Sequence, residues 1–176
     1  ASDVYKRQEE RVERSQYVKL ITWIVSFIIL MAGIVFPVLI LWVNQDMMSK
    51  VIGASVLCLI FFTLIFTVAY QPRKLILSET HIIMERILGQ VYISYSDITD
   101  ISLYHRENVA EIRIFGIGGL GGYIGKFYNS KIGFYTAYVG DYSQAFLIKI
   151  NNREKYVMSC RHAEKIVEEV KSRLKQ

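Results

Sequence analysis

Two long apolar blocks without a charged residue constrain the fold of this chain more than any other feature. They cover residues 20–43 and 51–70. A helix that crosses a bilayer needs about 20 consecutive apolar residues, so both blocks predict transmembrane helices. A buried helix of a soluble protein is shorter and keeps a polar stripe, and the apolar core of a signal peptide is only about 7–15 residues long.

Residues 44–50 join the two blocks, and such a short link can only reverse the chain. This predicts an antiparallel transmembrane hairpin over residues 20–70, with both chain ends on one side of the membrane. Basic residues flank the outer ends of the hairpin, whereas the link contains only Lys50: they are Lys6, Arg7, Arg11, Arg14, Lys19, Arg73 and Lys74. Because positively charged flanks stay in the cytoplasm, we expect both termini and the following domain to be cytoplasmic, at the plasma (inner) membrane.

The segment before the hairpin, residues 1–19, is predicted to be a basic N-terminal arm. Its first eight residues read as foreign or truncated sequence and carry no fold prediction. The absence of charge inside both blocks argues against an ion pathway or a transporter, since these place polar groups at membrane depth. Gly33 and residues 53–55 would allow close helix contact; small residues present by chance explain them equally well.

Residues 73–176 predict a small β domain that ends in one helix. Short segments of alternating apolar residues are separated by turn residues, as in a sandwich or barrel; they are residues 73–78, 81–86, 90–94, 98–104, 111–115, 136–139, 145–150 and 155–158. Over residues 160–175 the apolar residues recur at helical spacing: Ala163, Ile166, Val167, Val170 and Leu174. We therefore predict an α+β membrane protein, in which an antiparallel β-barrel or sandwich is capped by a C-terminal amphipathic helix.

This arrangement resembles the pleckstrin-homology (PH) fold, and several segments are similar to the bacterial PH-domain families. They are residues 75–80 (Leu-Ile-Leu-Ser-Glu-Thr), 82–83 (Ile-Ile) and 91–98 (Val-Tyr-Ile-Ser-Tyr-Ser-Asp-Ile), which lead into Ile101. A pair of membrane helices before the domain is also similar to that group, so the resemblance covers roughly residues 17–176. It implies a membrane-attached domain and not an enzyme.

The most conspicuous local feature is a glycine-rich stretch at residues 116–125, which holds six of the 11 glycines. Gly116, Gly118 and Gly121 match the G-x-G-x-x-G spacing of dinucleotide-binding proteins. That motif must open a helix, and the residues that follow have no helical period. The stretch is therefore either a structural loop between strands, where glycine permits positive φ, or a loop that contacts a partner or ligand.

Aromatic residues interleaved with lysines follow the glycines up to Tyr142, and they favour a contact role. Such a segment could reach lipid headgroups or hold a partner protein, while about half of the rings would fill the core. The candidate contact residues are Gly118, Gly119, Gly121, Gly122, Tyr123, Lys126, Phe127, Tyr128 and Lys131.

No set of residues predicts catalysis, a cofactor or a metal. Cys160 and His162 stand without further ligands, and zinc needs about four. The loop that binds phosphoinositides in PH folds corresponds to residues 78–80, which are few and acidic, so no specific phosphoinositide site is expected. The net charge of +5 is dispersed among acidic residues, which does not favour nucleic-acid binding.

These observations predict a non-catalytic module held at the cytoplasmic membrane face. The first hypothesis is a protein-interaction or assembly module that binds a partner or self-associates, through a sheet edge or through residues 116–142. The alternative is a module that senses lipid headgroups or a small ligand with the same segment.

Overall fold

The computed structural model describes residues 8–43, 46–106, 111–151 and 153–174. Within these residues, three α-helices and ten strands follow one another in the order β1 (Gln8–Arg11), α1 (Gln16–Val43), α2 (Met47–Ala69), β2 (Pro72–Leu77), β3 (His81–Arg86), β4 (Gln90–Ser94), β5 (Ile98–Tyr104), β6 (Glu111–Gly118), β7 (Tyr123–Asn129), β8 (Gly133–Val139), β9 (Ala145–Ile150), β10 (Lys155–Ser159) and α3 (Ala163–Leu174). The architecture is that of two N-terminal apolar helices and a β-rich domain closed by a C-terminal helix.

Helices α1 and α2 form the apolar hairpin, and both begin before the uncharged blocks. Polar caps explain the early starts: the Ser15 hydroxyl accepts from the Val18 amide at 3.2 Å, and the Asp46 carboxylate accepts from the Met48 and Ser49 amides, both at 3.1 Å. Both helices are long and apolar enough to cross a membrane, and only 11% of each apolar window is buried. Helices so exposed do not have the burial of soluble core helices.

The two helices contact each other through small residues. A Cβ added at Gly33 would lie 3.1 Å from Ile60 Cδ1, and one at Gly53 would lie 3.7 Å from Ile40 Cγ2. Both glycines are therefore part of the helix–helix contact, as close packing of membrane helices requires. Ser55 is exposed and bonds back to the Val51 carbonyl of its own helix at 2.8 Å.

The first sheet has four antiparallel strands in the order β1-β2-β3-β4. The sequence predicted no strand ahead of the helices, yet β1 pairs along β2, with Gln8 opposite Leu77 and Arg11 opposite Lys74. Its Gln-Glu-Glu-Arg sequence has little intrinsic strand preference, and the ladder with β2 supplies the order. Gln8, which the sequence analysis set aside, belongs to this strand, while residues 1–7 lie outside the described residues.

The second sheet has six strands in the order β5-β9-β10-β8-β7-β6. All its pairs are antiparallel except β8 and β10, because β9 and β10 form a hairpin whose second strand inserts beside β8. Strand β7 was absent from the sequence prediction, since its glycine, asparagine and aromatic residues do not alternate by hydropathy. The two sheets form a sandwich and do not close into a barrel, so the sandwich half of the prediction is the correct one.

The main core lies between the two sheets and α3. The apolar stripe on α3 is buried as predicted, and it packs with residues of both sheets such as Leu75, Phe146 and Met158. The helix begins at Ala163 and not at residue 160, because residues 161–162 form a turn. A second buried cluster lies on the other face of the six-stranded sheet, where the large members are aromatic.

The same end of both sheets meets the bases of α1 and α2. Strand β2 starts three residues after α2, the Leu88 amide donates to the Ala69 carbonyl at 2.8 Å, and the Ser15 amide donates to the Gly140 carbonyl at 3.2 Å. We call this the helix-proximal end. The opposite, distal end carries the β2–β3, β7–β8 and β9–β10 turns. The strands therefore extend between the bases of the helices and the distal end, in alternating directions.

Candidate functional site

The glycine-rich stretch forms the tip of the β6–β7 hairpin and packs on α1. The Gly119 amide donates to the Gly122 carbonyl at 2.9 Å, which closes a turn of residues 119–122. The Thr22 hydroxyl in α1 accepts from the Gly121 amide at 2.7 Å. A Cβ at Gly121 would overlap the side chain of Gln71, and φ there is 74°. Only glycine fits, so this glycine turn is a docking element for the bases of the helices.

Further contacts fasten the domain to the bases of the helices beside the glycine turn. Arg14 donates to the Gln71 side-chain oxygen at 2.5 Å, and Gln71 is only 5% exposed. Gly140 lies against the Glu13 carbonyl so closely that a Cβ would overlap it. These contacts, on both sides of the helical hairpin in sequence, leave the domain little freedom to move relative to the two helices.

Deeper in the hairpin, glycine lets two backbones approach each other. Gly116 and Gly125 face each other across β6 and β7 with φ values of 127° and 121°. A Cβ on Gly116 would overlap the Ile124 carbonyl and lie 2.8 Å from the Gly125 Cα. Because β7 and not a helix follows the glycines, the dinucleotide-binding spacing lacks the context that it needs.

The aromatic residues divide between the two faces of the six-stranded sheet. One face holds an aromatic interior whose neighbouring ring centroids lie 4.8 to 6.4 Å apart; its members are Tyr104, Tyr123, Phe127, Tyr135 and Tyr142. The Asn129 amide of β7 donates to the Tyr104 hydroxyl of β5 at 3.2 Å. Three strands separate β5 from β7 in the sheet order, so the sheet curves strongly around these rings.

The charged groups of the aromatic interior contact one another and the surrounding rings. The Arg106 guanidinium lies 4.6 Å from the centroid of Tyr142 and pairs with Glu111 at 3.3 Å, and the Tyr142 hydroxyl donates to Glu111 at 3.1 Å. Burial raises the pKa of Tyr135 and of Tyr142 well above the usual phenol value. These phenols are therefore neutral at physiological pH, whereas the Oε2 atom of Glu111 is buried without a hydrogen-bond partner among the described residues.

Strand β6 forms an open edge of the six-stranded sheet and carries exposed apolar side chains. Ile112 is 56% exposed, Ile114 54% and Phe115 74%. On neighbouring strands of the same face, Tyr128 lies opposite Ile112, and its ring centroid is 5.0 Å from that of Phe134, which is 68% exposed. We call Ile112, Ile114, Phe115, Tyr128 and Phe134 the edge patch.

A basic pocket of about 280 Å³ adjoins the edge patch toward the distal end. Its walls include the side chains of Lys126, Phe134, Arg153, Lys155 and Tyr156. Lys155 donates to the Ile132 carbonyl. Glu154 also lines the pocket, and its carboxylate accepts from the Tyr156 hydroxyl at 3.0 Å. Within the described residues, the side chains of Lys126 and Arg153 form no ion pair or hydrogen bond, so the pocket has a net positive charge.

The nine candidate contact residues do not form one surface. Gly119, Gly121 and Gly122 are buried at the bases of the helices, and Tyr123 and Phe127 point into the aromatic interior. Gly118 is exposed at the end of β6. Lys126 and Tyr128 face the edge patch and the basic pocket, and Lys131 lies in the distal β7–β8 turn, where its amide donates to Asn129 at 2.9 Å.

The sequence analysis did not name Ile112, Ile114 or Phe115 as surface residues, and it included Phe134 only within the wider segment of residues 116–142. The alternation over residues 111–115 predicted a strand, and a strand with alternating apolar residues normally buries one face. A signal was present: residues 111–118 carry apolar residues on both faces, including two neighbours, Ile114 and Phe115. Such a strand is either buried on both faces or exposes one of them, and only its place at the sheet edge decides between these outcomes.

In the part of the chain that the structure describes, no three His, Cys, Asp or Glu side chains are grouped so that they could hold a metal ion. Cys160 is 1% exposed, and burial raises the pKa of its thiol to about 12. The thiol therefore stays protonated and unreactive at physiological pH.

Comparison with known proteins agrees with this architecture. No curated protein and no solved structure matches the chain. Residues 73–174, more than half of the chain, match the family model for the bacterial PH domain. The match begins at the first residues after the helical hairpin and ends with the last residue of α3. The chain therefore belongs to the bacterial PH-domain family, and it carries two long apolar helices ahead of its PH domain.

Proposed function

We propose that this protein is a non-catalytic interaction module, anchored by α1 and α2 in the inner membrane with its PH domain in the cytoplasm, and that the edge patch binds a partner protein. The observation that carries the proposal is the open edge of β6 with its exposed apolar side chains. Exposed edge strands pair readily with other chains, and natural proteins usually protect them with charges, prolines or covering elements.

Such protection is slight at the edge patch in the part of the chain that the structure describes, where the register of β6 with β7 shifts between Arg113 and Phe115. Glu111 turns inward to Arg106 and Tyr142, which leaves Arg113 as the charged side chain on the outer part of β6. Contiguous exposed apolar residues on a folded domain mark interaction surfaces. An extended segment could add to β6 as a seventh strand and set alternate side chains against the patch.

The direction of β6 relative to the membrane favours binding of a different protein at this edge over binding of a second copy of this chain. Strand β6 runs from the distal end toward the bases of the helices. Two copies in one membrane are related by an axis along the membrane normal, which leaves their β6 strands parallel. Antiparallel pairing of two identical edges is excluded in that arrangement, and parallel pairing is less stable. The basic pocket beside Phe134 favours a partner segment with acidic side chains.

The orientation follows from charge at the bases of the helices. Arg11, Arg14, Lys19, Arg73 and Lys74 lie on the domain side of the hairpin, whereas Lys50 lies at the opposite end. This asymmetry supports a cytoplasmic domain by the positive-inside rule.

Lipid sensing by residues 116–142 receives less support from the geometry. The glycine turn is covered by α1 and Gln71, and Lys131 lies at the distal end, away from the bases of the helices. The β2–β3 turn, where PH folds hold phosphoinositides, is also distal. Lys131 and the β2–β3 turn therefore lie away from the bilayer, and the glycine turn is already occupied by its contacts with α1 and Gln71.

The proposal is tested by isolating the full-length protein from native membranes in mild detergent. Wild type is compared with Phe115→Ser and with the matched control Tyr92→Ser, which replaces a 59% exposed ring on β4. We expect a stoichiometric partner with wild type and Tyr92→Ser, and about a tenfold loss with Phe115→Ser, typical of an aromatic anchor. A photo-crosslinker at residue 112 should join to the same partner. Equal recovery from all three variants, or recovery of no protein from any, would contradict the proposal.

A further inference from the structure

The turn between β3 and β4 lies directly against the end of α2. The Leu88 amide donates to the carbonyl of Ala69, the last residue of α2, at 2.8 Å. The Arg86 amide donates to the Gly89 carbonyl at 3.2 Å and closes the turn, with Gly89 at a φ of 80°. Because α2 is one of the two helices that reach across the bilayer, the turn sits at the depth where that helix leaves it.

The side chains at this turn are apolar and uncovered. Ile87 is 52% exposed and Leu88 58%. In the last turns of α2, Ile65 is 66% exposed and Val68 51%. The turn thus continues the apolar surface that α2 presents to lipid. Apolar side chains adjoining a lipid-facing surface are removed from water by entering it.

Arg86 places a cation beside these residues. Its guanidinium lies 5.2 Å from the ring centroid of Tyr70, just after α2, and 5.6 Å from that of Tyr138. Among the described residues no carboxylate forms an ion pair with Arg86. Tyrosine and arginine at the end of a membrane helix mark the headgroup layer, where lipid phosphates supply negative charge.

We infer that the β3–β4 turn is a second membrane contact of this protein, in which Ile87 and Leu88 enter the lipid interface beside α2 and Arg86 faces the phosphate layer. The inference rests on the proposed membrane anchoring and adds to it. A PH domain attached only by its chain ends would tilt freely, whereas contact at this turn, together with the glycine turn on α1, fixes the direction in which β6 faces.

Spin labelling of the full-length protein in vesicles of phosphatidylcholine and phosphatidylglycerol tests the inference. A single label is placed by Leu88→Cys in a Cys58→Ser background, since Cys160 is buried and resists labelling. The matched control is Glu79→Cys in the exposed β2–β3 turn, at the distal end of the same sheet. A third label, Leu59→Cys at an exposed position within α2, reports the anchoring itself.

The measured quantity is the accessibility of each label to oxygen, which concentrates in lipid, and to a water-soluble nickel chelate. We expect the ratio of oxygen to nickel accessibility at residue 88 to be several-fold higher than at residue 79 and closer to that at residue 59. If residue 88 resembles residue 79 while residue 59 is lipid-accessible, the turn contact is wrong and the anchoring stands. If residue 88 is shielded from both reagents, protein covers the turn and the inference fails. If residue 59 is exposed to nickel, the anchoring fails as well.

Discussion

Strands β1 and β6 are both outer strands of their sheets, and they are built in opposite ways. Strand β1 has four residues, three of them charged; Glu9 pairs with Lys74 at 3.2 Å and Glu10 with His162 at 2.9 Å. Strand β6 has eight residues and exposes Ile112, Ile114 and Phe115. A short charged edge repels additional strands, whereas a long apolar edge accepts them.

The two edges of one domain therefore differ in how readily a further strand could pair with them. Strand β1 is covalently continuous with α1 and ties the four-stranded sheet to the anchor. Strand β6 ends in the glycine turn that docks on Thr22 of α1, so its open edge is held in a fixed direction. Because β6 is already ordered before a partner binds, pairing along its open edge costs less conformational entropy.

The largest expected effect is a difference in stability between substitutions on the two faces of the β6–β7 hairpin. Phe127 is 3% exposed in the aromatic interior and Phe115 is 74% exposed on the edge. Replacing Phe127 by Ala should lower the free energy of unfolding by about 3–5 kcal/mol, whereas Phe115→Ala should change it by less than about 0.5 kcal/mol. Denaturant unfolding of both variants in detergent checks this contrast. Similar losses would mean that the edge patch belongs to the core.

The next effect concerns how β6 is held to β7. In Gly116→Ala the new Cβ meets the Ile124 carbonyl at a positive φ, so the strands must separate; we expect a loss of about 2–3 kcal/mol in the free energy of unfolding. Gly118→Ala is the matched control in the same strand, where the nearest atom is the flexible end of Arg113 at 3.4 Å. That control should lose less than about 1 kcal/mol. Thermal unfolding of the two variants measures the difference.

The sequence predicted the two apolar helices and the sandwich with its C-terminal helix well, because these depend on hydropathy over many residues. It predicted strands best where alternation is local, as in β3, and it missed β7 and β1, whose order comes from neighbouring strands. The helix positions Ala163, Ile166 and Val170 followed from periodicity alone.

The candidate site was harder to predict, since its residues depend on which strand lies at the edge of the sheet. Gly121 and Lys126 are five residues apart and end in different environments, one against Gln71 and the other in the basic pocket. No local pattern distinguishes them. Strand order is a property of the whole chain, and the parallel pairing of β8 with β10 that helps to set it involves residues about 20 apart in sequence.

The third expected effect is a loss of stability at high pH, and it arises in the aromatic interior. Tyr142 has a raised pKa in the folded protein, because burial disfavours its charged form. The unfolded phenol ionises near the usual value of 10.0, so the stability contributed by burying the neutral ring is complete below that pH and falls above it. At one pH unit above 10, the loss is about 1.4 kcal/mol for each such tyrosine.

Denaturant unfolding at neutral and alkaline pH, followed with tyrosinate absorbance, measures this loss. The Tyr142→Phe variant should show a shallower decline with pH than wild type, since one titrating group is removed. An unchanged decline would show that Tyr142 ionises within the folded state and is open to water.

The smallest effect tests what the charges on β1 are for. Glu9 and Lys74 are 47% and 42% exposed in their side chains, and ion pairs at the surface contribute only about 0–1 kcal/mol. Glu9→Gln should therefore leave the thermal unfolding midpoint nearly unchanged. If the pair instead carried more than about 1 kcal/mol, β1 would be held by its charges and not by its ladder with β2.

If the charges on β1 protect its edge from pairing with another chain, removing both carboxylates should have a larger effect. Replacing Glu9 and Glu10 by Val and Thr gives β1 a surface like that of β6, with its ladder to β2 intact. Sedimentation should then show self-association of detergent-solubilised protein, while wild type and Glu9→Gln sediment identically. If the double variant stays monomeric, the short length of this four-residue strand is enough to protect its edge. The open edge of β6 would then owe its capacity for pairing to length more than to apolar side chains.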